Sequence, residues 1–517
     1  MKRLFALVLL FFSLAAGAAD PAALFHQNCA VCHGADRFGL IGPALLPESL
    51  ERLKKAEALR TVRDGRVATQ MAGFAGKLAD ADIAALVDWI YSPVQPPPQW
   101  SAEQIRASRL TPHAPGSLPD QPCAKLAGVD LMNLFVVVES GDHHVTLLDG
   151  DKLEPIHRFA SRFALHGGPK FTADGRYVYF GSRDGWISKF DLWNLEVVAE
   201  VRAGINMRNI AVSSDGKWVM AANYLPHTLA LFDADLKLVK VLPAATLDGK
   251  ETSRVSAVYD AAPRKSFVAA MKDIPELWEI SYDPQAAPIF TGLVHDFKMA
   301  EGFATPGFLN PRRTELPSVL DDFFFDASYA NVMGAARSGQ GQVVNLDVRR
   351  SIATLDLPGM PHLGSGITFE WQGRPVMATP NLKDGVVTVI DMKTWQTVKH
   401  IPTLGPGFFM RSHEDTPYAW VDSMMGKGRD TLQVIDKRTL ERVAELRPAP
   451  GKTLAHVEFT RDGRYALASL WERKADGGAI IVFDAATLKE VKRIPLDKPV
   501  GKYNVSNKVN RSAGTSH

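Results

Sequence analysis

Cys29-Ala30-Val31-Cys32-His33 concentrates more chemistry in five residues than any other stretch of this sequence. Each thiol can be alkylated by one vinyl group of a single haem while the imidazole that follows takes the iron, so the pentad predicts covalent c-type haem attachment through Cys29 and Cys32, with His33 as axial ligand. A thioredoxin-like dithiol is the alternative, but such motifs seldom carry His next and sit near a βαβ pattern. Between Gly34 and Trp100 there is one methionine, Met71, and no histidine. Met71 is therefore the expected sixth ligand, and a Met/His pair raises the potential above that of two imidazoles, which suits a relay of electrons. Cys123 is the one cysteine left over, so no disulfide framework is expected.

The elements that position this pentad follow from its surroundings. Lys2 and Arg3 precede an apolar run from Leu4 to Ala15, and Ala16-Gly17-Ala18-Ala19 offers small residues for cleavage, so residues 1–19 read as a secretory signal. The run is too short to span a bilayer and no other segment approaches that length, so the expected location is the periplasm without a membrane span. A net charge of +2 over 517 residues argues for neither nucleic acid nor an anionic membrane surface as partner. Residues 20–95 are expected to form a small all-α class I cytochrome c domain. Its parts are an entry helix over Ala22–Cys29, a loop at Gly42-Pro43-Ala44-Leu45 against the haem edge, and a closing helix over Asp82–Ser92. In the last, Ile83, Leu86, Val87 and Ile90 recur at helical spacing, with Asp80 as cap and Pro93 as stop. Residues 96–125, rich in proline and poor in apolar periodicity, predict a stiff, exposed linker.

From residue 126 short apolar runs alternate with turn residues, and one pattern returns eight times: a β run closing on Asp149, Asp191, Asp233, Asp283, Asp347, Asp391, Asp436 and Asp484. Asp-Gly turns at Asp174-Gly175, Asp215-Gly216 and Asp462-Gly463 recur between these stations. A repeat of about 40 to 50 residues holding several strands is a propeller blade, so residues 126–517 predict an all-β eight-bladed propeller; a β-sandwich gives no reason for the recurrence. Innermost strands of a propeller start at one face, so the polar residues just upstream of each turn should meet around one mouth. They are His166, Arg208, Arg254, Asp321 with Asp322, His362, Arg411 with His413, and His456. Imidazoles for iron and guanidinium groups for carboxylates fit a planar, polyanionic, metal-containing ligand. No Gly-x-Gly-x-x-Gly unit for a nicotinamide or flavin is present.

A cytochrome c domain before an eight-bladed propeller with these histidines resembles cytochrome cd1 nitrite reductase and its relatives in haem d1 biosynthesis. The likeness is strongest at Leu165-His166, Gly175-Arg176-Tyr177, Arg183-Asp184-Gly185, Asp191-Leu192-Trp193, Pro361-His362 with Gly364 and Gly366, and Gly501-Lys502-Tyr503-Asn504-Val505. The resemblance implies that His166 is the proximal ligand of a haem d1-type iron and that His362 lies on its distal side. Where the reductases carry a first distal His, this chain has Leu320-Asp321-Asp322, and Ser365 stands where they have an Arg. It therefore looks more like the dihydro-haem d1 dehydrogenase branch, which oxidises a propionate of the d1 precursor to an acrylate, and His456 matches that branch's further His. The implied substrate and product are dihydro-haem d1 and haem d1; a periplasmic electron acceptor and a nitrite reductase receiving the haem d1 are the implied partners. Removing two protons and two electrons needs a base, for which His456 and then Tyr503 are the candidates, and an electron exit, for which haem c serves. A nitrite reductase with rearranged proton donors and a non-catalytic d1 carrier stay open as alternatives.

Overall fold

A computed structural model describes residues 20–51, 53–66, 71–291, 303–336 and 339–511. The expected export signal lies outside the described residues. Two compact units meet at the Gln95–Pro96 bond.

The first unit is helical: α1 (Pro21–Asn28), α2 (Ala30–His33), α3 (Lys55–Asp64) and α4 (Asp80–Ile90). Pro21 occupies the first turn of α1, where a missing N–H costs nothing, and the Asp20 side chain accepts from the Ala22 N–H at 3.1 Å. Ile83, Leu86, Val87 and Ile90 of α4 are buried together with Leu24 and Phe25 of α1, as their spacing requires. Asp80 is the first helical residue rather than the cap, which falls on Ala79. The sequence reading did not foresee α3, whose charged composition buries only Ala58 and Val62.

The second unit is an eight-bladed propeller of eight four-stranded antiparallel sheets. Blade 2 runs outward through Lys170–Phe171, Tyr177–Gly181, Trp186–Asp191 and Glu196–Arg202. Innermost strands of the following blades are Asn206–Val212, Val255–Ala261, Asp322–Phe325, Ile367–Trp371, Met410–Ser412 and Leu454–Phe459. Blade 1 takes its innermost strand from the far end of the chain: Pro499–Asn504 pairs with Phe135–Glu139, outside which lie His144–Asp149 and Glu154–Ala160. Side chains of neighbouring blades interlock as a sheet-on-sheet core, for example Met220 and Leu231 with Phe267 and Trp278. Phe135 and Leu148 of blade 1 meet Leu467, Ile480 and Val482 of blade 8 and close the ring.

Six of the eight Asp stations close third strands, Asp283 and Asp347 lie two residues past theirs, and carboxylates at these stations organise the turns that follow. Asp391, for instance, accepts from the Lys393 and Thr394 amides at 2.8 and 3.0 Å. In blade 5 this role falls on Asn345, while Asp347 pairs with Arg264 at 2.8 Å. The Asp-Gly turns join first to second strands, with Gly175, Gly216 and Gly463 at φ near +70°, where a Cβ would be strained.

One expectation is overturned. Residues 96–125 are not an exposed linker but a strap on blades 2 and 3. Helix α5 (Ala102–Ala107) has a capping box between Ser101 and Gln104, Ile105 is buried, the Trp100 indole donates to the Arg202 carbonyl at 2.9 Å, and Leu110 bridges to Glu200. Prolines shape the strap, but buried apolar anchors hold it.

Asp191 ties strap, turn and blade together: it accepts from the Trp193 and Asn194 amides at 2.9 and 3.2 Å and pairs with Arg176 at 3.0 Å, while Arg176 also reaches Asp120 at 2.6 Å. Both Asp191 and Arg176 are buried. Asp191→Ala should cost about 3 kcal/mol, because the buried Arg176 guanidinium loses its buried partner and keeps only exposed Asp120 and the Pro119 carbonyl, measured as a lower urea midpoint; an unchanged midpoint would contradict this account.

Candidate functional site

The starts of the innermost strands gather at one mouth of the propeller, as the repeat register requires. His166 precedes the first strand of blade 2, Arg254 that of blade 4 and His362 that of blade 6, while Arg208, Asp322, Arg411 and His456 lie within theirs. His413 does not join them. It sits past the far end of Met410–Ser412, its Nε2 3.1 Å from the Arg461 carbonyl oxygen of the next blade's turn.

A cavity of about 260 Å³ opens at this mouth, lined by His166, Gly167, Phe408, Phe409, Trp471 and Tyr503 among others. Of the residues nominated from sequence, His166 and Tyr503 line it directly. His362 and His456 stand one layer back, each covered by a phenyl ring: Phe408 lies 4.1 Å from the His362 ring and Phe409 4.8 Å from His456, centroid to centroid. The His456 ring also packs edge-on against Tyr503 at 5.0 Å.

The imidazoles divide by their hydrogen bonds. His166 Nδ1 lies 2.8 Å from the Arg208 carbonyl oxygen and His362 Nδ1 2.9 Å from that of Phe408. A carbonyl only accepts, so each Nδ1 carries the proton and each Nε2 keeps a lone pair, the arrangement that prepares an imidazole to bind metal. His33 in the first unit repeats it, with Nδ1 2.8 Å from the Pro43 oxygen. His456 differs: its Nδ1 is buried with no partner, and burial, reinforced by the charges of Lys502, Arg411 and Lys508, pushes its pKa well below the usual histidine range. It is a neutral imidazole with an unused polar atom.

Cations crowd the same mouth. Arg208 and Arg183 bring guanidinium nitrogens within 3.1 and 3.2 Å of His166 Nε2. Arg183, Arg254 and Lys272 surround the Tyr224 ring at 5.9, 5.7 and 5.6 Å. Arg254 is paired with Asp273 at 2.7 Å, and Arg411 lies 3.4 Å from buried Glu458. The Asp321-Asp322 pair has structural partners: Asp321 pairs with Lys272, and Asp322 accepts from the Tyr259 hydroxyl at 2.6 Å and the Gly364 amide at 3.1 Å. Lys502, fully buried, donates to Ser469 Oγ at 3.0 Å and to the His456 carbonyl.

Sequence reasoning missed Arg183, Phe408, Phe409 and Asp422. Arg183 follows a second strand, outside the register used to find the ring. Phe408 and Phe409 carry no polar group that would mark them in sequence. Asp422 is invisible without the fold: its buried carboxylate accepts from the Phe408 amide at 2.8 Å, the Phe409 amide at 3.0 Å and the Met424 amide at 3.3 Å. Burial pushes its pKa up to about 6.

In the first unit the pentad is built for a haem. Cys29 and His33 are buried in the core that Met71 packs against, and the Gly42-Pro43 loop lies on the His33 ring, since a Cβ on Gly42 would sit 2.8 Å from His33 Cε1. Two thiols, an imidazole with its Nε2 lone pair held ready and a thioether in one small core fit covalent haem c.

A family model for the cytochrome D1 heme domain matches residues 129–508, and one for the cbb3-type cytochrome c oxidase subunit III matches residues 16–90. The chain is 55% identical over 515 residues to the dihydro-heme d1 dehydrogenase of Pseudomonas aeruginosa, covering 99% of each. It is 27% identical over 542 residues to a nitrite reductase of Stutzerimonas stutzeri, covering 94% of this chain and 92% of that one. A solved structure of dihydro-heme d1 dehydrogenase NirN in complex with DHE superposes with a TM-score of 0.86 at 54% identity, covering 95% of this chain and 100% of that one. With the d1 match covering residues 129–508, which take in the whole propeller, the chain belongs to the cytochrome D1 heme domain family.

Proposed function

We propose that this protein is a dihydro-haem d1 dehydrogenase: an oxidoreductase that converts one propionate side chain of dihydro-haem d1 to an acrylate and passes the electrons to haem c. The observation that carries this reading is 55% identity along 99% of both chains to a dehydrogenase of that name, so cytochrome domain and propeller are shared in one order. The chemistry of the mouth agrees. His166 offers Nε2 to the substrate's iron, His362 faces it from the other side, and Arg183, Arg208, Arg254 and Arg411 supply charge for its carboxylates. Charge-assisted bonds of this kind contribute about 1.5–3 kcal/mol each.

Turning CH2–CH2–COO⁻ into CH=CH–COO⁻ releases two protons and two electrons. His456, held neutral by burial, accepts a proton from the side chain, and Tyr503 beside it orients the imidazole or serves in its place. The second proton leaves to solvent, and haem c, which Cys29, Cys32, His33 and Met71 would hold, would take the two electrons one at a time and hand each to an external acceptor before the next. Asp321 and Asp322 are already bound to Lys272, Tyr259 and the Gly364 amide. Carboxylates so engaged are poor proton donors for nitrite reduction, which favours the dehydrogenase over the reductase. Among the described residues no helix is long and apolar enough to cross a membrane. We assign the protein to the periplasm, with an electron acceptor there drawing on haem c and a nitrite reductase receiving the haem d1.

The deciding assay mixes anaerobic protein with dihydro-haem d1, follows haem c reduction, and weighs the extracted tetrapyrrole for loss of two hydrogens. Unchanged tetrapyrrole together with nitrite consumption by the reduced protein would refute the proposal. His166→Ala should weaken tetrapyrrole binding and shift its visible spectrum, and His362→Ala should alter ligation or turnover, with the c-type spectrum intact in both; unchanged spectra in both would remove them from the site. Met71→Ala should abolish the sulfur-to-iron charge-transfer band and lower the haem c potential, as the ligand set dictates. Because a base works only above its own pKa, and that of His456 lies well below 6.5, turnover should hold level from pH 8 to 6.5 and fall at lower pH. A decline already setting in between pH 8 and 7 would argue against His456.

A further inference from the structure

The cavity at the mouth is about 260 Å³, below the roughly 300–1,000 Å³ that pockets for drug-sized ligands offer. Phe408 and Phe409 occupy the space between it and the two histidines behind them. What fixes these two residues therefore decides how His362 and His456 meet a ligand.

One carboxylate does most of that. Asp422 Oδ1 accepts from the Phe408 amide at 2.8 Å and Oδ2 from the Phe409 amide at 3.0 Å, so the dipeptide is gripped at consecutive N–H groups. The third amide it accepts, from Met424 at 3.3 Å, belongs to another segment of the cavity wall. Bonds to an ionised acceptor are roughly twice as strong as neutral ones, and inside a core the grip is rigid. From Phe408 it passes directly to an imidazole, because the Phe408 carbonyl accepts the His362 Nδ1–H at 2.9 Å. The segment has no slack on its other side: a Cβ on Gly407 would lie 2.3 Å from the Asp422 carbonyl oxygen.

We propose that Asp422 is a positioning residue for tetrapyrrole ligation: through the Phe408-Phe409 backbone it holds His362 in the Nδ1–H tautomer, leaving Nε2, which lies 3.9 Å from Asp322 Oδ2, as the nitrogen that would meet a ligand. The consequence for turnover rests on the dehydrogenase reading; the consequence for the imidazole does not. Asp422→Asn keeps the volume but replaces one acceptor oxygen with a donor that opposes an amide N–H, so the grip fails at one residue. Gly407→Ala breaks it from the other side without touching the carboxylate.

The test is 15N NMR of histidine-labelled full-length protein with haem c reduced and no tetrapyrrole added, the His362 signals being assigned by their loss in His362→Ala. Wild type should show Nδ1 protonated and Nε2 bare, and both variants should mix the tautomers, with far-UV circular dichroism and the c-type spectrum unchanged. Identical His362 signals in wild type and both variants overturn the proposal, and Gly407→Ala keeps it testable if Asp422→Asn fails to fold. With dihydro-haem d1, Asp422→Asn should lose about tenfold in turnover, the lower end of what removal of a ligand's supporting group costs. It should also leave the bound spectrum of the His362→Ala protein unmoved when the two are combined. A tautomer shift without loss of turnover sustains the role of Asp422 toward His362 and counts instead against the use of His362 in the reaction.

Discussion

Eight sheets form a ring only if the first is completed by the last strand of the chain. The ladder between Phe135–Glu139 and Pro499–Asn504 is that closure, and the mouth depends on it. Tyr503 lies on the closing strand and meets His456 of blade 8. The next turn of chain, α6 (Val505–Asn510), sends Asn507 to Glu458 at 3.0 Å, the same carboxylate that faces Arg411. One antiparallel pairing thus closes the ring and delivers Tyr503 to the cavity.

A hydrogen-bond rule separates the imidazoles of the two units by environment. His33, His166 and His362 each give Nδ1–H to a backbone carbonyl, 10, 42 and 46 residues away in sequence respectively. The folded chain therefore chooses the tautomer before any metal arrives, which limits the reorganisation that ligation demands. His456 has no such bond at Nδ1 and is flanked by cations, so its protonation is disfavoured without being blocked by a fixed partner. Imidazoles of one residue type thus differ in where they can take a proton, because their environments differ.

Much of this was legible in the sequence. The Cys-x-x-Cys-His pentad, the closing helix of the first unit and the eight Asp stations carry their meaning in spacing alone, since thiol reach, helical period and blade length are local quantities. The polar ring followed from register, and it failed at His413 because a strand of only three residues, Met410–Ser412, carries the next position out at the far mouth. Residues 96–125 misled because proline content reports stiffness and not exposure; the Ser101-Gln104 capping box and the Trp100 and Ile105 anchors were the better signal. Arg183 was marked only by its place in the Arg183-Asp184-Gly185 motif, and Asp422 was out of reach, since each acts through groups that only the tertiary fold brings near.

The closing strand has a consequence in time. Residue 135 must wait for residue 504 before blade 1 is complete, and pairings so distant in sequence are slow to form and leave an open sheet edge meanwhile. The haem-attachment pentad lies more than a hundred residues before blade 1 and needs nothing from it, because its core is drawn wholly from residues before Gln95. The cytochrome unit can therefore fold around its pentad while the propeller is still an unclosed arc. The tetrapyrrole mouth comes into being last, when the electron exit it relies on is already in place.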